Sequence, residues 1–554
     1  MTETQAGDTA RTAANSARSA RRAAHPALVL LVITGAQMMV VLDGTIVNIA
    51  LPSMGRYFNK SQTDMTWALN AYTLAFGGLL LLGGRMGDVL GRRRMFIVGL
   101  SLFTVGSFLA GIAANFPLLL AGRAVQGLGG AIASPTALSL ITTEFEEGEE
   151  RTKAIAVYAA VSGAGAALGL LLGGILTEYF SWRWVLFVNV PIGVVLISGA
   201  FVYLHQSERL RGRFDVLGAL LSVAGMVSTV YGFIHVAHSG WGNTETFVVF
   251  AAAVILLVSF VLYEAFVVAE PMMPMRIFEN RNRAGSYVVM FVVGAAMFGM
   301  FYFITFFVQG VKDYSALKTG FSFLPVAFVI GIVSQVNAKL LGRLGPKPLL
   351  ITGTVLITLS LLWLSTVDSS ASYPGKILPG MLVLAVAMGC LFVPLTSTAV
   401  SQVANTDAGL ASALLNVGQQ IGGALGLSVM TTVFGTAARN WGSSHRGRLA
   451  GALNDASTGM SPATKGALAQ KLQHAGSSGL QTDEITKFVH EHPDAGNFFN
   501  GPYKSFGHDL LAHASGQGFL MGAVFGGVAI VAAVFLINVS KDELPTDVTV
   551  AGAH

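Results

Sequence analysis

Two charged side chains stand inside long apolar runs of the sequence, where a charge is costly. Asp43 falls in the run 26–50, and Arg123 falls in the run 117–138. A carboxylate in such surroundings must be neutralised, paired or hydrogen-bonded, so it can bind and release protons as its partners change. We predict that Asp43 carries protons, the alternative being a structural hydrogen bond. For Arg123, a functional role is favoured over a side chain that reaches the membrane surface.

Neutral polar and aromatic side chains recur at helical spacing in two other apolar runs. The two sets are Asn416, Gln419 and Gln420, and Phe298, Tyr302 and Phe306. Residues three or four apart share one face of a helix. Such faces would suit an amphipathic ligand, since amides form neutral hydrogen bonds and aromatic rings pack on varied apolar groups. Helix–helix contact for the amides, and lipid contact for the aromatic rings, are equally open alternatives.

A third set of candidate residues lies in the stretch GGRMGDVLGRRR, Gly83 to Arg94. It is rich in charged residues, although the chain as a whole has few. Asp88 and Arg92 are four residues apart, the spacing that brings side chains together on a helix. Arginines beside apolar segments also hold a loop on the cytoplasmic side of a membrane. The stretch therefore predicts a cytoplasmic loop with an Asp88–Arg92 ion pair, and a role in topology alone is the alternative to a role in mechanism.

The elements that position these residues are long apolar segments. Hydrophobic residues make up 53% of the 554 residues and charged residues 11%, against about one-quarter charged in a soluble domain. A bilayer core is crossed by roughly 20 helical residues. We predict fourteen spans, at approximately 26–50, 63–83, 95–113, 117–138, 153–176, 184–204, 214–236, 245–266, 284–308, 317–338, 348–367, 377–399, 409–437 and 515–538. The predicted fold class is an all-α polytopic membrane protein.

Lysine and arginine divide unevenly between alternate connections. With the N-terminus inside, 20 fall in the cytoplasmic set and 6 in the short outer loops, which predicts that both termini are cytoplasmic. Residues 1–25 are predicted to be a disordered cytoplasmic tail and 541–554 a second tail. The long connection 438–513 is predicted to lie outside and to contain short helices starting at Ser461 and Thr482. A solvated loop is the alternative.

A weak internal repeat relates two parts of the chain. The stretch GRRRMFIVG at 91–99 aligns with GPKPLLITG at 345–353, each after the second span of a six-span group. The predicted division is therefore two related six-helix bundles, 26–205 and 271–540, with two inserted helices at 206–270. Parallel repeats of this kind form one large class of transporters, with the substrate site between the halves.

Other ionisable groups lie near predicted span ends. Asp215 is predicted to cap the start of span 7, and Glu178 and Glu264 to lie at the membrane interface rather than buried. His235 and His238 are predicted to be surface residues, and Cys390, the single cysteine, to pack inertly. Neither a phosphate-binding loop nor a metal-ligand motif occurs in the sequence. The net charge of +5 is explained by topology, so no nucleic-acid partner is expected.

Six stretches together resemble the major facilitator superfamily, and specifically its fourteen-helix drug:proton antiporter branch. They are LDGTIVNIALP (42–52), GRMGDVLGRRR (84–94), RAVQGLGGA (123–131), WRWVLFVNVPIG (182–193), DYSALKTG (313–320) and ASALLNVGQQIGGALG (411–426). The resemblance covers nearly all of residues 26–540. It implies the major facilitator fold, with two six-helix bundles and two inserted helices.

The resemblance also implies a function and roles for individual residues. Proton-coupled efflux of drugs or antibiotics across the bacterial cytoplasmic membrane would be driven by the proton gradient, with no cofactor and no enzymatic step. Arg123 would line the cavity and exchange protons or charge with a carboxylate. Asp88 and Arg92 would form a cytoplasmic latch that docks onto the other half and favours the outward-facing state. Asn48 and Gln126 complete the predicted substrate cavity. The expected partners are a small amphipathic organic substrate, protons and membrane lipid, and the expected state is a monomer.

One departure from the family pattern keeps other functions open. Leu170 stands where the fifth-helix antiporter motif has proline. A proton-coupled symporter or a lipid exporter on the same fold is therefore an alternative. A membrane sensor or scaffold without transport is an alternative of a different class.

Overall fold

The computed structural model describes residues 26–145, 148–205, 214–401, 408–454, 459–475 and 482–539. Within these ranges the chain is built from long α-helices and contains no strand. Their bounds, in chain order, are α1 Pro26–Phe58, α2 Gln62–Leu90, α3 Arg92–Gly111, α4 Phe116–Glu144, α5 Glu149–Tyr179, α6 Trp184–Tyr203, α7 Val216–Ser239, α8 Thr244–Phe266, α9 Arg281–Gly310, α10 Ala316–Leu344, α11 Pro346–Ser365, α12 Leu378–Val400, α13 Ala408–Ser444, α14 Arg446–Asn454, α15 Pro462–Ala475, α16 Thr482–Glu491 and α17 Lys504–Leu536. The predicted tails 1–25 and 541–554 lie outside the described residues.

Thirteen of the described helices are long and apolar enough to cross a membrane, namely α1–α4, α6–α13 and α17. The remaining predicted span corresponds to α5, which begins with Glu149 and Glu150 and has a shorter apolar stretch at Leu168–Tyr179. The chain is therefore a multi-pass helical membrane protein, and the predicted fold class is confirmed.

Capping residues fix where several helices begin. Ser61 Oγ accepts a hydrogen bond from the backbone N–H of Asp64 at 3.1 Å, and the Asp64 carboxylate accepts one from the Ser61 N–H at 3.3 Å. Asp215 accepts from the Gly218 N–H at 2.8 Å, as predicted for the start of span 7. Such caps satisfy N–H groups that have no partner within the first helical turn.

The packing of the helices follows the same pattern in the two predicted halves. In the first half, α5 and α6 pack on α1, α4 packs on α2 and α3, and α6 packs on α3. The equivalent pairs in the second half are α13 and α17 on α9, α12 on α10 and α11, and α17 on α11. The inserted helix α7 packs on α8 and on one helix of each half, α2 and α13. This is the pairing expected of two repeats; the exact domain boundaries stay predictions.

The two halves meet closely at the end that the charge pattern predicts to be extracellular, called the outer end below. A Cβ atom added at Gly320 of α10 would lie 2.7 Å from the carbonyl oxygen of Leu170 on α5. Only glycine therefore allows the two helices to approach this closely. Gln309 also donates to the Ile49 carbonyl oxygen at 3.0 Å, and Glu178 accepts from the Ala316 N–H at 3.1 Å. The halves are thus closed over the outer end in this conformation.

The segment between α13 and α17 folds around a small apolar core of its own. Its buried residues are Leu453, Met460, Leu468, Phe488, Ala495, Phe498 and Phe499. Ser461 caps α15 by accepting from the Thr464 N–H at 3.1 Å, and α16 begins at Thr482. The predicted short helices are confirmed, and a solvated loop is wrong for the described residues. Arg448, 3.3 Å from Asp509 of α17, holds this segment at the outer end of the second half.

Two helices extend beyond their predicted membrane spans, and one prediction about burial was wrong. Helix α13 continues to Ser444 and α17 begins at Lys504, whereas the predicted spans ended at 437 and began at 515. The polar residues there mark the edge of the apolar segment but do not break the helix. Glu264, predicted to lie at the membrane interface, is buried, with 3% of its surface exposed, because α7 and the connection after α8 cover it.

Candidate functional site

Asp43 lies on α1 and is completely enclosed. Its Oδ2 atom is 2.5 Å from Nη1 of Arg123 on α4. Its Oδ1 atom accepts hydrogen bonds from Gln126 Nε2 at 3.0 Å and from Asn189 Nδ2 at 2.9 Å. One cation and two amides therefore hold this carboxylate, which satisfies the condition for burying a charge in an apolar bundle.

Arg123 is 1% exposed and is bound from three directions. Besides Asp43, its Nη1 atom donates to Gln126 Oε1 at 2.9 Å, and its Nε atom donates to the backbone carbonyl of Ala68 on α2 at 2.9 Å. The guanidinium carbon lies 4.5 Å from the centre of the Tyr72 ring, a cation–π contact. A planar fork of donors suits this arrangement, and lysine could not reproduce it.

The network extends through two amides to five helices. Gln126 Nε2 also donates to Ser107 Oγ on α3 at 2.7 Å, which orients the amide so that its oxygen faces Arg123. Asn189 brings in α6. Sequence reasoning identified Asp43, Arg123 and Gln126 but missed Ser107 and Asn189. Asn189 lies inside the WRWVLFVNVPIG stretch, so a polar residue at a fixed place in that motif was the available signal.

The chemistry of this network is set by its charge balance. With Asp43 ionised, the Asp43–Arg123 pair is neutral overall and most of its polar atoms are bonded. A proton on Asp43 would remove its attraction for Arg123 and leave a cation buried without a counter-ion, which is strongly unfavourable. Protonation and the arrangement of α1 against α4 are therefore linked. One further atom, Arg123 Nη2, has no hydrogen-bond partner and is buried.

The three amides of the predicted polar face of span 13 point to different surroundings and do not line one surface. Asn416 is exposed and donates to the Ser412 carbonyl of its own helix at 3.3 Å. Gln419 turns towards α9, with Nε2 3.9 Å from the sulfur of Met297. Gln420 faces α2. A Cβ atom added at Gly77 of α2 would lie 3.0 Å from the Cβ atom of Gln420. The amides are brought near both halves, and one of them, Asn416, remains exposed.

The predicted aromatic face of span 9 lies inside the protein. Tyr302 and Phe306 are 1% and 6% exposed and pack against each other with ring centres 4.6 Å apart and ring planes tilted by 43°, so they do not face lipid. The Tyr302 hydroxyl donates to the carbonyl oxygen of Gln62, across the boundary between the halves. Phe298 packs over Gly423 of α13. Asn48, also assigned to the cavity, is buried and donates to the Gly44 carbonyl of its own helix at 3.1 Å.

Asp88 and Arg92 form the predicted ion pair, with Asp88 Oδ1 3.1 Å from Arg92 Nη2. Arg92 also donates to the backbone carbonyl of Ser139 on α4 at 3.3 Å. The pair thus joins α2, α3 and α4 within the first half. A neighbouring arginine contacts a more distant part of the chain: Arg85 forms an ion pair with Glu270, in the segment between α8 and α9. In this conformation the described contacts of the predicted latch stay in its own half.

A cavity of about 680 Å³ lies away from Asp43, at the outer end between α7, α13 and α17. Its lining includes Phe233, Trp241, Thr436, Trp441 and His513. Sequence reasoning did not single out this site. Tryptophans near span ends are typical of the membrane–water interface and gave no signal of a cavity.

Similarity to known proteins identifies the family of this chain. A family model described as Major Facilitator Superfamily matches residues 33–427. A puromycin resistance protein of Streptomyces alboniger is 42% identical over 73% of this chain and 81% of its own length. A cephamycin export protein of Amycolatopsis lactamdurans is 38% identical over 72% and 83%. In fold, the chain is similar to a solved bacterial homolog of the human lysosomal transporter Spinster in an inward-facing, occupied conformation. That match has a TM-score of 0.62 and 15% identity over 94% of this chain and 98% of the other.

Proposed function

Because the chain belongs to the Major Facilitator Superfamily, a family of transporters, we propose that it exports small amphipathic organic compounds, antibiotics among them, in exchange for protons. The observation that carries the proposal is the enclosed Asp43–Arg123 pair, because ionisable groups inside a membrane span are costly and usually have a function. The relatives named for puromycin resistance and cephamycin export support the class of substrate.

The proton step follows from the charge balance of this network. Asp43 is enclosed in the present conformation, so a proton reaches it only after the helices around it separate. Once protonated, Asp43 no longer attracts Arg123, and the pair re-forms only when the proton leaves. Proton binding and release on opposite sides of the membrane would thereby drive the exchange between conformations. The energy source is the proton gradient, and no cofactor is required.

Access to the two sides would alternate as the halves rock against each other. The present conformation is closed at the outer end, where α5 contacts α10. In the opposite conformation we expect the Asp88–Arg92 latch to dock on the second half and close the inner end. Substrate would bind between the halves, against Gln126 and Asn48 on one side and the amides and aromatic rings of α9 and α13 on the other.

Transport by the full-length protein in proteoliposomes tests the proposal directly. The panel would hold puromycin, a cephamycin, tetracenomycin C and lincomycin, after the named relatives. Export in exchange for protons predicts that an imposed pH gradient drives substrate in the direction opposite to the proton flow. An ionophore that dissipates the gradient should abolish this movement. Substrate that moves in the same direction as protons would identify a symporter instead. No movement of any compound would remove the proposal in favour of a sensor or scaffold.

The proposed location is the bacterial cytoplasmic membrane, with both termini in the cytoplasm and the protein acting as a monomer in contact with lipid. The single native cysteine makes the orientation testable. Cys390→Ser removes it, and Ala450→Cys places one thiol on an exposed face of α14. We expect a membrane-impermeant maleimide to label intact cells. Labelling that requires permeabilised cells would place α14 inside and reverse the proposed topology.

A further inference from the structure

Two buried carboxyl groups face each other where α7 begins and α8 ends, far along the chain from Asp43. Asp215 caps the start of α7, and Glu264 lies near the end of α8; they are 4% and 3% exposed. Their side chains are within hydrogen-bonding reach of each other. The second oxygen of each group is already used, since Asp215 Oδ1 accepts from the Gly218 N–H and Glu264 Oε2 accepts from the Met273 N–H at 3.1 Å.

The remaining two oxygens, Asp215 Oδ2 and Glu264 Oε1, are buried and have no hydrogen-bond donor. Carboxylate oxygens are acceptors, so two ionised groups here would repel each other and stay unsatisfied. The site is apolar, with Phe260 and Met272 buried in the same cluster and leucines of α2 packed against it. A single proton held between the two oxygens makes one of them a donor and removes one of the two charges.

We propose that Asp215 and Glu264 form a proton-binding site that holds one shared proton between α7 and α8. Among the described residues, the charged group that acts on Glu264 is Asp215. The charges on the other elements packed here, Arg85 of α2 and Glu270 of the following segment, are joined to each other. A proton is therefore the ligand that the two open oxygens fit, and the site needs no other charge to complete it.

The site's position gives the shared proton a mechanical consequence. Glu264 holds Met273, which belongs to the segment 267–280 that leads into α9 and the second half. The same segment is tied to the first half through Arg85 and Glu270. Loss of the proton would set two anions against each other and loosen the start of α7, the end of α8 and this segment together. The inserted helices would then respond to pH independently of Asp43.

Infrared spectroscopy of the full-length protein in lipid tests this site without a transport assay, so its outcome is separate from that of the export proposal. We expect a protonated-carboxyl C=O band that disappears as the pH rises. Glu264→Gln and Asp215→Asn each keep a donor between the groups, and asparagine keeps the helix cap. Both variants should lose the band, whereas Glu245→Gln, which removes an exposed carboxyl from α8, should keep it. Asp43→Asn should keep it as well.

Thermal unfolding supplies a second readout. The folded state holds a proton that the unfolded chain releases, so wild-type stability should fall as the pH rises. In Glu264→Gln and Asp215→Asn that fall should be smaller than in the wild type, because this site no longer contributes to it. A band that persists in both variants would overturn the proposal. A stabilisation that follows sodium concentration at constant pH and disappears in both variants would also overturn it, because the ligand would then be a metal cation.

Discussion

The first helix of each half occupies an equivalent place in its bundle, yet one presents a charged side chain and the other presents apolar and aromatic side chains. In the first half, α1 brings Asp43 into a closed network with Arg123. In the second half, α9 brings a packed column of methionine and aromatic side chains, in which the Tyr302 and Phe306 rings are in contact. The polar contacts of that column are single hydrogen bonds, such as the one from Tyr302 to the Gln62 carbonyl.

This difference suggests a division of labour between the halves. Ionisable groups that can couple to protons are concentrated in the first half, where α4 supplies the counter-charge. The second half offers an apolar surface with a few amides, which can contact varied ligands without requiring a fixed charge. If the division holds, first-half substitutions should change energy coupling, and second-half substitutions should change the choice of substrate.

The largest effect is expected from Asp43→Asn. Asparagine keeps the size of the side chain and some of its hydrogen bonds but cannot bind and release a proton. Transport driven by a pH gradient in proteoliposomes should fall to background, while expression stays normal. Asp64→Asn is the matched control, since Asp64 caps α2 in the same half and should not affect coupling. Full gradient-driven transport by the Asp43→Asn protein would show that Asp43 is not the proton carrier, and would contradict the proposed difference between the halves.

A second large effect concerns stability. Arg123→Gln leaves Asp43 buried without its cation, which costs about 3–5 kcal/mol when one member of a buried pair is removed. The double variant Asp43→Asn/Arg123→Gln removes both charges and should be more stable than Arg123→Gln alone. Thermal unfolding of purified proteins at constant pH measures this. Equal stability of the single and double variants would mean that the two side chains are not coupled.

An intermediate effect is expected at the predicted latch, where the halves also differ. Asp88 pairs with Arg92, whereas Gly342 stands at the corresponding place in the second half. Asp88→Asn should disfavour the outward-open conformation and lower turnover, with little change in substrate binding.

A thiol at Ile49, in a Cys390→Ser background, reports that conformation, because Ile49 is enclosed when the outer end is closed. Its labelling should slow in the Asp88→Asn protein. Unchanged labelling together with normal turnover would leave the stretch as a topology signal alone.

A smaller effect is expected from the second half. Asn416 is exposed on α13, and Asn416→Ala should change the apparent affinity for some substrates by about fivefold, since a hydrogen bond contributes about 1 kcal/mol. The pH dependence of transport should stay that of the wild type. A shifted pH dependence with unchanged affinities would contradict the proposed division of labour.

The smallest effect on transport is expected in the outer segment. Asp494 accepts from the Ser461 N–H at 2.8 Å and from the Thr464 hydroxyl at 2.8 Å, and so joins the start of α15 to the turn after α16. Asp494→Ala should speed proteolytic cleavage of this segment several-fold and leave transport nearly unchanged. Glu491→Ala, which removes an exposed carboxyl at the end of α16, serves as a control substitution in the same segment. A strong loss of transport in Asp494→Ala would give the segment a direct role.

The sequence predicted the ionisable centre of the site better than its neutral members. Asp43 and Arg123 stand out because a charge in an apolar run is rare, whereas Asn189 is one amide in a motif and Ser107 one hydroxyl in an apolar helix. The spans were predicted from apolar length, but the ends of α13 and α17 were not, because polarity marks the membrane border and not the end of a helix.

Partners distant in the chain account for the remaining errors. Glu264 ends an apolar run and was therefore placed at the interface. Its burial depends on Asp215 and on the Met273 backbone, which folding brings together. Likewise, the separate directions of Gln419 and Gln420 follow from how α13 packs between α9 and α2, which helical spacing alone does not contain.

The length of α13 has a practical consequence for imaging. Its 37 residues extend to about 55 Å, well beyond a hydrocarbon core of about 30 Å. With α17, to which Arg448 of α14 is joined, it carries the folded segment of α14–α16, which is predicted to lie outside the membrane. A small membrane protein otherwise hidden in a detergent micelle thus has a built-in asymmetric landmark. A binding fragment raised against α14–α16 would enlarge that landmark and report the tilt of the second half directly, without touching the substrate path.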